Sequence, residues 1–395
     1  MIRHLITLMW NRKRANSLLI LEIVLAFVVL FAVGSVGVYT WSNYRAPLGF
    51  AYDNVWEIDL SPGTQPAAEQ FATFQQILAR LRSTPGVVSV TRTEANTPFS
   101  FNNSSTNVAT GKGAQKRECD RADIYFVSTD LQATMRVEMK EGRWFDRRDE
   151  AATRRPVIIS EQLRDELFKP GESPLGKTIS SEVNGQIVGV SGPYRASGEL
   201  SEPQPGLFVY VGPNDSTRAV STLLVRVQPG SGAALEKKIS DDIYRIGHTW
   251  SSAINTLSDQ RLVQVKVQLT PPILLGIVCV FLIVNVMLGL FGVLWLNINQ
   301  RRGEIGLRRA IGATAATISW QIVGEIVVLT TFGLGLGLLV AVQLPLLSAF
   351  DVKPGVYFTA MAGAAGALYL LAVGCALYPS RLAAGIRPAV ALREE

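Results

Sequence analysis

Apolar positions along this chain follow two regimes. Four stretches are apolar on every side and long: 17–40 (SLLILEIVLAFVVLFAVGSVGVYT), 272–298, 318–346 and 356–378. Each reaches the length of about 20 residues that a helix needs to cross a bilayer's hydrocarbon. The first is too long for the apolar part of a signal peptide, and no A-x-A-like site follows it. Residues 41–270 read differently, with short alternating runs and helical stripes. VWEIDLS alternates as a strand, and AAEQFATFQQILARLRSTPGVVSV gives an amphipathic helix, a Pro-Gly turn and a second strand. STLLVRVQPG and AALEKKISDDIYRIG repeat the strand and helix near the end. Between them, turns and short strands dominate. The expectation is an α-helical membrane protein with four transmembrane helices. An α+β extracytoplasmic domain of two subdomains, 41–270, is inserted between helices one and two. Its α+β part takes about 50–100 and 219–265, and a mostly β part takes about 101–218. SGELSEPQPG, around 197–206, reads as a flexible loop. Pro271 and Pro272 suit the first turn of a helix or a kink where the chain enters the bilayer.

Composition agrees with this division. The 395 residues are 48% hydrophobic and 18% charged, and the mean hydropathy is +0.23. Soluble domains carry about a quarter charged residues. Lys and Arg set the orientation. They precede span one (Arg3, Arg12, Lys13, Arg14), link spans two and three (Arg301, Arg302, Arg308, Arg309) and follow span four (Arg381, Arg387, Arg393). The link between spans three and four has Lys353 beside Asp351. Both termini and the turn near residue 305 are therefore expected in the cytoplasm, with 41–270 outside. Residues 1–16 carry an apolar face and suit an interfacial helix or a basic flank. Trp41 and Tyr44 sit where an interfacial aromatic belt would place them. Glu22 in span one either snorkels or faces another helix. Gly333, Gly335 and Gly337, and Gly363 and Gly366, suit close helix approach or are generic transmembrane glycines. Glu325 serves packing or signalling.

One motif points elsewhere. GESPLGKT, Gly171–Thr178, satisfies the phosphate-loop spelling G-x-x-x-x-G-K-[ST] at every position. A working loop follows a buried strand and opens a helix, whose N-terminal N–H groups hold phosphate. Here RPVIISEQLRDELF gives strand then helix upstream. KTISSEVNGQIVGV gives two strands around an Asn-Gly turn downstream. The segment also falls on the outer side, away from ATP, so a nucleotide site is rejected. Cys279 and Cys375 lie in spans and Cys119 is alone outside, so no disulfide framework forms there. His4 and His248 support neither a metal site nor a catalytic triad.

The most informative stretch is NQRRGEIGLRRAIGATAATISW, from Asn299 to Trp320. Ile305, Leu307, Ala310 and Ile311 offer apolar contacts amid Glu304, Arg308 and Arg309, and Gly312 can end the helix. A short amphipathic helix facing the cytoplasm suits a groove on a partner. RRGEIGLRRAIGA resembles the coupling-helix motif of FtsX/MacB-type (type VII) ABC transporter permeases. The tail YPSRLAAGIRPAVALREE is similar to that family's ending at Pro379, Ala383, Ala384, Pro388, Ala391, Leu392 and Arg393. EGRWFDRRDE, RPVIIS, SPLGKTI and IVGV resemble its MacB-like periplasmic core domain.

That resemblance implies a non-catalytic permease subunit of the inner membrane, with no ATPase domain fused at its N-terminus. A separate cytoplasmic ABC ATPase would bind ATP and Mg, this chain holding no cofactor or metal. It would dock within 299–317 on Arg301, Arg302, Glu304, Ile305, Gly306, Leu307, Arg308, Arg309, Ala310, Ile311 and Gly312. A second permease chain, identical or paralogous, would pair with it. Closure of the ATPases would be felt by the external domains as mechanotransmission, driving efflux or extraction of a periplasmic substrate with a periplasmic adaptor or outer-membrane partner. The alternative is FtsX-like signalling to an external hydrolase or sensor. Membrane lipid surrounds the spans, residues 379–395 form a cytoplasmic tail, and no nucleic-acid partner is expected.

Overall fold

The computed structural model describes residues 13–94, 96–111, 113, 116–217, 221–347 and 352–384. Its first elements are α1 (Lys13–Tyr44), β1 (Val55–Ser61), α2 (Ala67–Arg82), β2 (Val87–Thr93), β3 (Ser105–Thr110), β4 (Arg117–Val127), α3 (Leu131–Met135) and β5 (Met139–Gly142). There follow β6 (Arg155–Ser160), α4 (Glu161–Leu167), β7 (Thr178–Ser180), β8 (Gly185–Ser191), β9 (Gly206–Tyr210), β10 (Thr222–Val227), α5 (Ala233–Gly247) and β11 (Ser251–Thr256). The chain continues through α6 (Leu257–Gln300), α7 (Arg302–Ala310), α8 (Ala315–Ala341), α9 (Gln343–Leu346) and α10 (Pro354–Ala384). Two compact units result: Asn43–Gln268, and the described residues up to Ser42 with those from Leu269 onward.

The Asn43–Gln268 unit has two lobes. In the first, the antiparallel order β11–β1–β10–β2 arises from two β–α–β halves, a ferredoxin-like arrangement. Alternation explains it. Trp56, Ile58 and Leu60 of β1, with Leu223, Val225 and Val227 of β10, pack against Phe74, Ile77 and Leu81 of α2 and Ile239 and Ile243 of α5. In the second lobe the pairings β4–β3–β7–β8–β6–β9 return to β4 and close a ring of six strands. Closure removes the free edges that short strands would otherwise expose. Val108, Ile124, Val157, Ile187 and Val209 fill its inner cluster, which Leu163 and Leu167 of α4 join. A third cluster, rich in aromatic rings, draws on both lobes. Tyr194 meets Phe50 at a tilt and Tyr125 and Phe208 edge-on, at centroid distances of 4.9, 5.0 and 5.1 Å. The mixed strand–helix–strand reading of this segment is met, but β11 was not foreseen, because SSAINT is half-exposed and carries one strong strand former.

The reading of SGELSEPQPG as a flexible loop is corrected. Ala196, Gly198, Glu199 and Leu200 are buried. Arg195, 2% exposed, donates to the carbonyls of Asn43 (2.9 Å), Ala46 (2.7 Å), Glu199 (2.7 Å) and Ser201 (2.5 and 3.1 Å). Buried carbonyls in a loop need such a donor, and a guanidinium supplies five N–H groups at once. Gly49 takes φ +84° where a Cβ would fall 1.5 Å from the Pro193 carbonyl oxygen, so this crossing admits only glycine.

Among the described residues four helices are long and apolar enough to cross a membrane: Ser17–Tyr44, Leu257–Gln300, Ala315–Leu346 and Pro354–Ala383. Leu19 and Ile23 of α1, Leu290 and Leu294 of α6, Val323 and Ile326 of α8, and Ala372 and Ala376 of α10 form one cluster. Two glycines on α8 make notches for α1. A Cβ on Gly333 would lie 2.7 Å from Ile23, and one on Gly337 2.5 Å from Phe27. A Cβ on Gly335, Gly363 or Gly366 would meet nothing within 4 Å, so those three do not pack. Glu22 faces another helix rather than snorkelling, its carboxylate lying against the bare backbone of Gly289. Pro271 and Pro272 lie inside α6 rather than in a first turn, since the helix already starts at Leu257. At 1.5 Å per residue its 44 residues extend about 66 Å, twice the hydrocarbon thickness. Residues 1–12, which carry most of the expected N-terminal helix, lie outside the described residues, as do Pro388, Ala391, Leu392 and Arg393.

Candidate coupling site

The turn between α6 and α8 is built as a rigid knuckle. Helix α7 carries Glu304 in its first turn and Arg308 and Arg309 in its last, the arrangement that suits a helix dipole. Its end is closed by glycine: Gly312, at φ +103°, donates to Arg309 O (3.2 Å), and Ala313 donates to Arg308 O (3.0 Å). These two bonds are the Schellman pair, which requires a left-handed residue at that position. Helix α8 is then capped by Thr314, whose hydroxyl accepts from Thr317 N–H.

Polar clamps hold α7 to its neighbours. Arg301, at the end of α6, donates to both carboxylate oxygens of Glu325 on α8 at 3.1 Å, and the two side chains are 17% and 23% exposed. Arg308 is bonded to Glu304 one turn back (2.5 Å) and to Gln321 on α8 (2.8 Å). Ile305 packs with Ile298, Ile318 and Ala383, so the ends of α6 and α10 and the start of α8 share one small core. Ser319 adds a hydrogen bond to the Ser380 carbonyl at 3.1 Å.

The sequence-predicted residues thus divide by direction. Ile305, read from sequence as an outward apolar contact, is 7% exposed and belongs to the support, as does Gly306. Outward lie Arg302, Glu304, Leu307 (51%), Ala310, Ile311 (79%) and Gly312, while Arg301, Arg308 and Arg309 are half-buried. Leu307 and Ile311, four apart, make an apolar ridge on this face. Sequence reasoning left Glu325 undecided and did not single out Gln321 or Trp320, which is 74% exposed. Helical spacing relates Gln321 to Glu325, but nothing local relates either to arginines on another helix.

A second polar construction lies at the base of the Asn43–Gln268 unit. Loop 193–201 holds Asn43, in the last turn of α1, and Ala46, just after it, through Arg195. The same loop holds the start of α6. Arg261 makes a two-pronged ion pair with Glu199, and Gln268 donates to Ser197 O at 2.7 Å. Both strands of chain that join this domain to the membrane helices are therefore fastened to one loop.

GESPLGKT has no phosphate geometry. Thr178 opens strand β7, not a helix. Lys177 is engaged by Glu172 at 2.5 Å and lies 4.9 Å from the centre of the Phe168 ring. The segment is a β-lobe turn, held where Gly176 N–H meets the Ile187 carbonyl at 2.8 Å.

Residues 17–241 match the family model of the MacB-like periplasmic core domain, and residues 276–388 that of the FtsX-like permease C-terminal domain. The chain belongs to the FtsX/MacB-type family of ABC transporter permeases. This permease is similar to the uncharacterized ABC transporter permease YvrN of Bacillus subtilis, 27% identical over 69% of this chain and 70% of that one. It is 25% identical to a macrolide export ATP-binding/permease protein MacB of Pasteurella multocida, over 98% of this chain and 59% of the relative. The permease thus spans somewhat more than half of that relative's length. The crystal structure of the periplasmic region of MacB from Actinobacillus actinomycetemcomitans aligns with a TM-score of 0.38 and 15% identity, over 54% of this chain and 92% of that one.

Proposed function

We propose that this permease couples ATP hydrolysis by a separate ABC ATPase to movement of its Asn43–Gln268 domain outside the cell, driving efflux or extraction of a periplasmic substrate. The observation that supports this best is the α7 knuckle: an outward apolar ridge, Leu307 and Ile311, on a helix clamped from behind by Glu325 and Gln321. A ridge of that kind fits a groove on a partner, and a clamped helix passes a push on rather than yielding to it. The Lys and Arg residues that flank the spans support a cytoplasmic α7 and cytoplasmic termini. Two permease chains act together, each holding one ATPase. Closure of the ATPase pair favours one of two states of the membrane helices. Helix α6 carries both Arg261, clamped to Glu199, and the residues that lead into the knuckle, so it is the segment through which a displacement would be passed to the external domain. Cargo leaves through an adaptor or outer-membrane partner. The match of 17–241 to a MacB-like core domain favours export over signalling to a hydrolase.

The test is reconstitution of the full permease with its ATPase in vesicles. Leu307→Arg with Ile311→Arg abolishes co-purification of the ATPase. Glu304→Ala or Arg308→Ala leaves hydrolysis running but breaks its link to a spectroscopic reporter on the external domain. Full coupling in all these variants, or labelling of an Ile311→Cys thiol from the outer side, defeats the reading.

A further inference from the structure

Helix α6 presents one face to its own bundle, where Cys279, Leu290, Leu294 and Ile298 are buried. On the opposite side Leu274, Val278, Phe281, Asn285, Leu288 and Gly292 follow one another in alternating steps of four and three, and all are exposed. Steps of that kind are the seam of a helix that packs against another helix. A seam of leucine and phenylalanine alone would be equally at home in lipid. Asn285 changes this. It lies thirteen residues from both Pro272 and Ile298, about 20 Å along the axis from either, and so close to the middle of the hydrocarbon. Its Nδ2 donates to the Phe281 carbonyl one turn back at 2.8 Å, and among the described residues no donor reaches its Oδ1. An amide in hydrocarbon with an unmet acceptor is costly, and polar side chains at this depth are turned to protein.

We infer that the outward seam of α6 is the contact between two copies of this chain, with the Asn285 amides facing each other across the two-fold axis. A carboxamide carries one donor type and one acceptor, so it is complementary to itself. Two identical amides on a two-fold axis each offer the free Nδ2–H to the other's Oδ1. Glycine at 292, two turns on, has nothing within 4 Å of a Cβ position and lets the second helix approach. The inference rests on the reading that two permease chains act together and specifies how they meet. A single polar residue in an apolar seam also fixes register, since a slip by one turn buries two unmatched amides.

The test uses the full chain in membranes with Cys119, Cys279 and Cys375 replaced by serine. Single cysteines at 281, 285 and 288 form disulfide dimers on mild oxidation, whereas cysteines at 286 and 290, on the bundle side, do not. In detergent, Asn285→Leu raises the dimer dissociation constant about three- to twentyfold, the range of measured interhelical hydrogen bonds in membranes. Asn285→Gln stays near the parent, and melting of the external domain is unchanged in both. Cross-links that peak on α1, α8 or α10, or an Asn285→Leu variant that dimerises like the parent, overturn the inference. Either result leaves the coupling of α7 to the ATPase standing, because that is read from Glu304 and Arg308 variants and not from the seam.

Discussion

Replacing Arg195 by methionine removes the guanidinium that ties loop 193–201 to the end of α1 while keeping an unbranched side chain of similar length. The side chain is 2% exposed, and it donates to the backbone carbonyls of Asn43, Ala46, Glu199 and Ser201, which lose these bonds once it is gone. Hydrogen bonds from a charged group contribute about 1.5–3 kcal/mol each, but they do not add, because burying the charge has its own cost. A net loss of about 3–5 kcal/mol follows, close to that for breaking a buried ionic contact. For a domain of roughly 150–250 residues each kcal/mol moves the melting point by about 2–4 °C, so the domain should melt about 6–20 °C earlier. The assay is a thermal scan of the full chain in detergent, with Cys279 and Cys375 replaced by serine. Cys119, 3% exposed inside the β ring, then reports unfolding of this domain to a thiol-reactive dye. Lys177→Ala is the control: its ion pair with Glu172 is 39% and 42% exposed, so solvent screens it and its loss should leave the melting point nearly unchanged. If Arg195→Met melts as late as that control, Arg195 does not fasten the loop to the end of α1.

Other expectations follow from the same geometry. Glu325→Gln removes the charge opposite Arg301 and should weaken ATPase stimulation by the permease without changing its yield in membranes. Gly337→Leu, which meets Phe27 where even a Cβ lies at 2.5 Å, should lower bundle stability and yield, whereas Gly335→Leu should be tolerated. Burial pushes the Glu57 carboxyl above the ordinary carboxylate range, despite the hydrogen bond from Gln260 (3.0 Å) that lowers it. A raised folded pKa favours the folded state in full below the unfolded value and loses that contribution as pH rises through the folded one. Glu57→Gln should therefore melt later than the parent at pH 8, with the gap closing towards pH 4; a gap independent of pH refutes the assignment. The Cys119 thiol, pushed up to about 12 mainly by burial, should resist maleimide at pH 7 until the domain unfolds.

The sequence by itself determined what depends on long apolar runs and on local pattern. Four spans follow from the thickness of a bilayer, and the first β–α–β half, with the strand and helix of the second, follows from alternation and helical stripes. The turn at Gly312 was legible because a left-handed helix end selects glycine within a few residues. The phosphate-loop spelling could be dismissed for a similar reason, since the residues on either side of GESPLGKT announce strand. What the tertiary structure decided is which way each side chain turns. Ile305 and Leu307 are equally apolar two positions apart, yet the packing of α7 on Ile298 and Ile318 buries one and exposes the other. Glu325 became a clamp only when α8 brought it to Arg301, and SGELSEPQPG became a fastening only around a guanidinium reaching to Asn43 and Ala46. Of five glycines that local pattern could not tell apart, two are notches for Ile23 and Phe27. Such assignments depend on contacts between residues far apart in sequence. Local pattern reports how apolar a position is, and the fold sets which neighbour it meets.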